Sequence, residues 1–220
     1  TAAVRKKTHE WTGQNFTDIY VANVNKDTTL SYSGNFSKKV NTKFNESSPI
    51  FTKDGQTMYF TRNNFLNGKK GKSDDKSTFV KIYKATLVNG EWDNITELPF
   101  NNNESSFAHP ALSLDEKTMY FASDMAGTTG YSDIYKVKRN SDGSFGNPEN
   151  LGPEINTTGR ESFPSVDKDG NLYFASDGHL GLGGLDLFEA KINEDGSFEK
   201  PKNLGERINS SKDDFAVTFY

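Results

Sequence analysis

The sequence contains no cysteine, which excludes disulfides and thiol chemistry. Histidine is scarce too, and its three residues (His9, His109 and His179) share no position in the repeats of the chain. No Gly-x-Ser-x-Gly nucleophile elbow is present either. Acyl transfer needs a nucleophile beside a base, and a symmetric metal site needs recurring ligands. We therefore expect no catalytic residue, no metal and no other cofactor.

Long apolar runs are also missing, so the sequence has no candidate transmembrane helix, and we expect no direct insertion into a membrane. The net charge is −4, and no clustered basic face of the kind that binds nucleic acid is visible. We therefore expect no nucleic-acid partner. No stretch has the i, i+3, i+4, i+7 apolar spacing of an amphipathic helix, so the chain is predicted to be all-β.

The chain is rich in aromatic residues and contains an internal repeat. It contains 17 phenylalanines and 9 tyrosines, many of them at matching repeat positions. An acidic residue opens each unit at intervals of roughly 55 residues, at Glu46, Glu104, Glu161 and Asp214. A unit of this length must bury its apolar face on its neighbours. The aromatic residues are therefore predicted to form the core between units.

Four short strand-like runs fill each unit, as the third unit shows. They span residues 162–166, 172–176, 186–192 and 197–204, and turns such as Asp169-Gly170 and Asp195-Gly196 separate them. Four antiparallel strands per repeat are typical of a propeller blade. The predicted fold is an all-β propeller of four-stranded antiparallel blades in a single domain.

The two ends of the chain are predicted to complete one blade together. Residues 214–220 have the pattern of a first strand, and residues 1–45 have that of a blade without one. The predicted blades are 214–220 with 1–45, then 46–103, 104–160 and 161–213. The last strand would close a ring of four blades and leave no open sheet edge. A segment cut from a larger propeller would have the same ends, so both interpretations stay open.

The long loops predict where a partner binds. In an antiparallel blade, the loop between the second and third strands shares one end with the connection into the first strand. The tight Asp-Gly turns lie at the other end. Long loops on a rigid frame are where binding sites concentrate, and here they span about residues 7–17, 62–80, 124–132 and 177–185. The predicted partner-binding residues are Phe65, Lys69, Lys70, Lys72, Tyr131, His179, Leu180 and Leu182. Solvated loops without a partner are the alternative interpretation.

The third unit resembles a known repeat family. Its segments Glu161-Ser162-Phe163-Pro164, Leu172-Tyr173-Phe174-Ala175-Ser176 and Asn203-Leu204-Gly205 are similar to WD40-like, TolB-type propeller repeats. They look most like those of OmpA-family envelope proteins of Bacteroidetes-type bacteria, some of which belong to the type IX secretion apparatus. The second unit matches nearly as well, the first departs in its loop, and the N-terminal unit matches only at Asp18-Ile19-Tyr20. The resemblance implies a periplasmic module of a larger, outer-membrane-associated protein, and it implies no catalytic residue.

The predicted function is a non-enzymatic scaffold that docks another cell-envelope protein through its long-loop face. A module that binds a glycan or a small molecule is the first alternative. A carbohydrate-active enzyme is the second, with Glu104 and Glu161 as the two carboxylates that such catalysis requires. The recurrence of these acidic residues in the repeat favours a structural role for them.

Overall fold

Sixteen β-strands make up the regular structure of the residues described here. The structure is a computed structural model, and it describes residues 16–219. No helix occurs in that range, so none of its segments is a helix that could cross a membrane. The strands are β1 (Tyr20–Val24), β2 (Leu30–Asn35), β3 (Glu46–Phe51), β4 (Thr57–Asn63), β5 (Phe65–Leu66), β6 (Lys69–Lys70), β7 (Val80–Val88), β8 (Glu91–Glu97), β9 (Phe107–Leu112), β10 (Thr118–Ser123), β11 (Asp133–Lys138), β12 (Glu149–Asn150), β13 (Glu161–Val166), β14 (Leu172–Ser176), β15 (Asp186–Ala190) and β16 (Lys202–Asn203).

Twelve of these strands form three antiparallel sheets with the same topology. Blade 1 has the order β3-β4-β7-β8, blade 2 the order β9-β10-β11-β12, and blade 3 the order β13-β14-β15-β16. The short hairpin β5-β6 lies in the connection between β4 and β7, and β1 pairs with β2. The predicted all-β propeller of four-stranded antiparallel blades is thereby confirmed.

The hydrophobic core lies between the sheets. Strands such as β10 are buried on both faces, because a neighbouring blade packs on each side of them. Between blades 1 and 2, the ring of Phe121 stacks on that of Phe100 with centroids 4.9 Å apart and packs beside Phe107 and Tyr135. The outer strands β12 and β16 are only two residues long, which limits exposed sheet edge. The predicted aromatic core between units is confirmed.

An asparagine after each blade clamps the start of the third strand. Asn156 accepts a hydrogen bond from the backbone N–H of Ile134 at 2.7 Å and donates one to its carbonyl oxygen at 3.0 Å. The same pair of bonds joins Asn41 to Ile19, and it recurs in blade 1 at Asn101 and Ile82. Since Ile19 directly precedes β1, strands β1 and β2 correspond to the third and fourth strands of a further unit.

The C-terminal segment shares two features with the first strands of the three blades. Ala216 has a φ of 65°, and the third residues of β3, β9 and β13 also have positive φ, at 49°, 54° and 49°. Residues 216–218 line the same central cavity as those three strands. Within residues 16–219 this segment has no strand ladder with β1. The predicted closing strand, the count of four blades and the blade boundaries stay predictions, and residues 1–15 and 220 with His9 lie outside the described residues.

The second unit opens on a different residue from the one predicted. In blade 3, Glu161 pairs with Ser176, and in blade 2 the equivalent pair is Phe107 with Ser123. Glu104 lies three positions before β9 and is exposed, whereas Phe107 is fully buried in the core between blades 1 and 2. Glu104 is therefore not the counterpart of Glu161, because an aromatic side chain fills that position in blade 2.

Candidate functional site

The long loops lie at the same end of the blades as the connections into the first strands, as predicted. In blade 2 the backbone N–H of Tyr131 donates to the carbonyl of Gly159 at 2.8 Å. In blade 3 the N–H of Asp214 donates to the carbonyl of Leu185 at 2.7 Å. Each loop is thus fastened to the connection that leads into the next unit. We call this end the long-loop face.

Most of the predicted partner-binding residues are exposed on this face. Leu180 is 94% exposed and Tyr131 is 72% exposed, while Phe65 is half-buried on β5. The remaining exposed residues are Lys69, Lys70, Lys72 and Leu182. They are spread over two regions, one around β5-β6 and one around the loops of blades 2 and 3. The structure contains no partner, so their role stays a prediction.

The side chain of His179 packs against the interior of blade 3. Its Nε2 atom is 2.8 Å from the carbonyl oxygen of Ile155, and its ring centroid is 5.2 Å from that of Phe188. These contacts anchor the loop between β14 and β15 and leave Leu180 at its tip. The histidine therefore positions the loop, and the leucine is the group that it presents to solvent.

An aromatic and cationic cluster on the long-loop face includes residues that the sequence analysis missed. The rings of Phe44 and Phe65 meet edge to face with centroids 5.0 Å apart. The Nζ atom of Lys43 lies 5.5 Å from both ring centroids, and that of Lys70 lies 5.7 Å from Phe44. We call these four residues the Phe44 cluster. Lys43 and Phe44 precede the opening residue Glu46, so their place in the repeat could have indicated them.

The loop of blade 1 differs from its counterparts for a chemical reason. In blade 2 the buried carboxylate of Asp133 accepts hydrogen bonds from the loop N–H groups of Thr129 and Gly130, and in blade 3 Asp186 does the same for its own loop. In blade 1 the equivalent residue is Lys81. An ammonium group can only donate hydrogen bonds, so it cannot hold a loop in this way. The chain instead forms the hairpin β5-β6.

The side chain that pairs with this position also differs between blades 1 and 2. Asn150 lies on the fourth strand of blade 2 and donates to Asp133 at 2.6 Å. The register places Glu97 at the same position of blade 1, and its carboxylate forms an ion pair with Lys81 at 3.0 Å. A part-buried Asp–Asn pair in blade 2 thus corresponds to a Lys–Glu pair in blade 1. The Lys81 side chain is only 4% exposed.

A central cavity of about 280 Å³ lies between the innermost strands. It is lined by Pro49, Pro110, Pro164, Leu112, Val166 and Val217 among others. The His109 ring stacks on Phe163 with centroids 3.6 Å apart, and Phe163 in turn stacks on Phe215 at 4.8 Å. Burial lowers the pKa of His109 to about 4, so its imidazole is neutral near pH 7.

The carboxylates predicted as an alternative catalytic pair have unrelated surroundings. Glu161 is fully buried and accepts hydrogen bonds from the hydroxyl groups of Thr157 at 2.7 Å and Ser176 at 2.6 Å. Glu104 is exposed and accepts from the backbone N–H of Asp74 at 3.2 Å. Glu161 therefore holds the connection between blades 2 and 3, as a structural role requires. Among residues 16–219 no group of three or more His, Asp or Glu side chains is placed to hold a metal ion.

Comparison with known proteins shows the fold alone. Neither a protein-family model nor a curated protein matches this chain. Among solved structures, puromycin hydrolase is 16% identical over 71% of this chain and 22% of its own, with a TM-score of 0.48. A gluconolactonase from Xanthomonas campestris is 16% identical, with 84% and 55% coverage and a TM-score of 0.47. TolB from Acinetobacter baumannii is 19% identical, with 82% and 47% coverage and a TM-score of 0.44.

Two statements follow from these structures. The chain spans less than two thirds of the length of each of the three. Two of them are named as enzymes, so the prediction that this chain is not an enzyme was wrong. The absence of familiar catalytic motifs does not exclude catalysis on a fold that also occurs in enzymes. TolB is among the similar folds, but none of the three is an OmpA-family protein or a type IX secretion component.

Proposed function

We propose that this chain is a protein-docking module of a larger cell-envelope protein and binds an acidic partner protein through its long-loop face. The observation that carries the proposal is the Phe44 cluster, in which two half-buried phenyl rings lie beside the exposed cations Lys43 and Lys70. Aromatic rings supply rigid contact area at protein interfaces, and cations around them attract a partner of opposite charge. The periplasmic, outer-membrane-associated location is part of the proposal and rests on the repeat residues of the third unit.

The tight turns at the other end of the blades form a face that is less suited to docking. There Asp54, Asp142 and Asp195 each accept a hydrogen bond from the hydroxyl group of a neighbouring turn residue at 2.6 Å. These bonds, together with backbone N–H donors, hold the pKa of each carboxyl below its usual range. Polar groups that are satisfied within their own turns offer a partner little to bind. The long-loop face is therefore the better docking surface.

A charge-matched pair of variants tests the docking surface. We expect Lys69→Glu, Lys70→Glu and Lys72→Glu together to weaken partner binding by at least about tenfold, since three attractive contacts become repulsive. The control carries Lys53→Glu, Lys117→Glu and Lys168→Glu, which make the same change of charge on exposed positions of the tight turns. Binding is measured by crosslinking to envelope extract, followed by titration of the captured protein. Equal losses in both variants, or no loss in the first, would contradict the proposal.

The central cavity supports a second candidate function, which is binding of a small molecule or a sugar fragment. Its volume of about 280 Å³ approaches the lower end of known ligand sites, and apolar side chains with one neutral imidazole line it. Thr218→Trp should block the cavity at an exposed lining position. We expect a fragment that raises the melting temperature of the wild type to lose this effect in the variant. A fragment effect that is unchanged by Thr218→Trp excludes the cavity as its site.

A further inference from the structure

A polar cleft of about 560 Å³ lies between the hairpin β5-β6 and the start of β7. Its walls are made of basic and amide side chains with a single acidic one, and it is lined by Asn64, Lys69, Lys70, Lys81, Glu97 and Asn102 among others. The hairpin forms one wall of the cleft through Lys69 and Lys70. At this place in the repeat, blades 2 and 3 have loops that Asp133 and Asp186 fasten instead.

The buried end of the cleft is formed by Lys81. Its ammonium group donates to Glu97 at 3.0 Å and to the side-chain oxygen of Asn103 at 2.8 Å. An ammonium group has three N–H donors, so these two bonds leave one donor for a third acceptor. The Glu97 side chain is 32% exposed, against 4% for Lys81, so solvent screens the anion more than the cation. The pair is neutral as a whole, so the excess positive charge of the cleft comes from its rim.

The rim of the cleft adds further positive charge. Lys69 is exposed on β6, and with Lys81 it places two cations against the single carboxylate of Glu97. Lys70, the next residue of β6, points the other way, and its ammonium group lies over Phe44. Asn102 contributes an exposed side-chain amide from the connection that leads into β9. Cations that converge with amide donors on one cleft are the groups that bind oxyanions, because charge-assisted hydrogen bonds are stronger than neutral ones.

We infer that this cleft is a binding site for a small oxyanion such as phosphate. The anion accepts hydrogen bonds from Lys81 at the bottom of the cleft and from Lys69 at its rim. Glu97 competes with the anion for Lys81 and limits its affinity. This site differs from the proposed docking surface in ligand class, and it requires no partner protein.

Titration calorimetry with inorganic phosphate at constant ionic strength tests the site. We expect Lys69→Ala to weaken phosphate binding by about tenfold, since one charge-assisted contact is lost. Glu97→Gln should tighten binding several-fold, because the amide still accepts a hydrogen bond from Lys81 but no longer carries a competing charge. The control, Lys26→Ala with Lys38→Ala, removes two exposed lysines away from the cleft and should leave the affinity unchanged.

The two cleft variants distinguish a binding site from a purely structural ion pair. If phosphate does not bind the wild type, or binds equally to all the variants, the inference is overturned and the Lys81–Glu97 pair only joins strands β7 and β8. If Glu97→Gln does not tighten binding although the protein stays folded, the anion does not share Lys81, and the inference is overturned as well. Partner docking is measured separately, so either result leaves the proposed function to its own test.

Discussion

The Asn156→Ala variant is expected to lose about 3 kcal/mol of its free energy of unfolding. Asn156 is 2% exposed, and its side chain satisfies both the N–H and the carbonyl group of Ile134 at the start of β11. It also donates to Asn150 at 2.8 Å. Alanine removes all three bonds. It leaves the N–H of Ile134 without this partner, whereas the carbonyl of Ile134 still accepts from the N–H of Leu151 at 3.1 Å. A buried unsatisfied group costs about 1–3 kcal/mol, and each lost hydrogen bond about 1 kcal/mol. The loss combines these costs.

Urea denaturation followed by circular dichroism measures this effect at pH 7. Asn147→Ala is the matched control, because Asn147 is exposed in the irregular segment before β12 and the same atoms are removed from it. We expect the control to stay within about 0.5 kcal/mol of the wild type. A similar, small loss in both variants would show that the clamp does not stabilise the blade.

Acid should destabilise the wild type more than the His109→Phe variant. The pKa of His109 is about 4 in the folded chain, lowered by burial from the ordinary value of 6.5. The unfolded chain therefore takes up a proton at this residue as pH falls through 6.5, while the folded chain does not. The stabilising contribution is present above pH 6.5 and is lost as pH falls to 4, with a loss on the order of 2 kcal/mol near pH 4.5.

The His109→Phe variant removes the titrating imidazole and keeps an aromatic ring. A phenylalanine fits this backbone conformation, because Phe163 occupies the equivalent position of blade 3 with a similar φ, 49° against 54° for His109. Glu46 titrates in the opposite sense: burial raises its pKa to about 7, despite hydrogen bonds from Thr42, so its contribution grows as pH falls. Both proteins contain Glu46, so its contribution cancels when their free energies of unfolding are subtracted. The measurement is the free energy of unfolding of each protein at pH 7 and pH 4.5. A difference that does not change with pH would contradict the assignment to His109.

The fold could be predicted closely from the repeat, whereas the site could be predicted only in part. The second strand of the third unit was expected at residues 172–176 and lies at Leu172–Ser176. The exposed residues Leu180 and Tyr131 were also expected on loops. The equivalence of Phe107 with Glu161 was not expected. The acidic Glu104 resembles an opening residue in sequence, and only the pairing of the strands shows the register. His179 was placed among partner-binding residues although its ring contacts the core.

The sequence by itself determined the local elements of this protein. Alternation of side chains and Asp-Gly turns depend on residues close together in the chain, so strands such as β14 and the order of strands within a blade follow from them. Only the tertiary structure decided which side chains meet across blades. Phe44 reaches Phe65, and Lys81 pairs with Glu97, through sheet register and packing between separate segments. Such contacts depend on distances that no local pattern encodes, and they form both the Phe44 cluster and the polar cleft beside β5-β6.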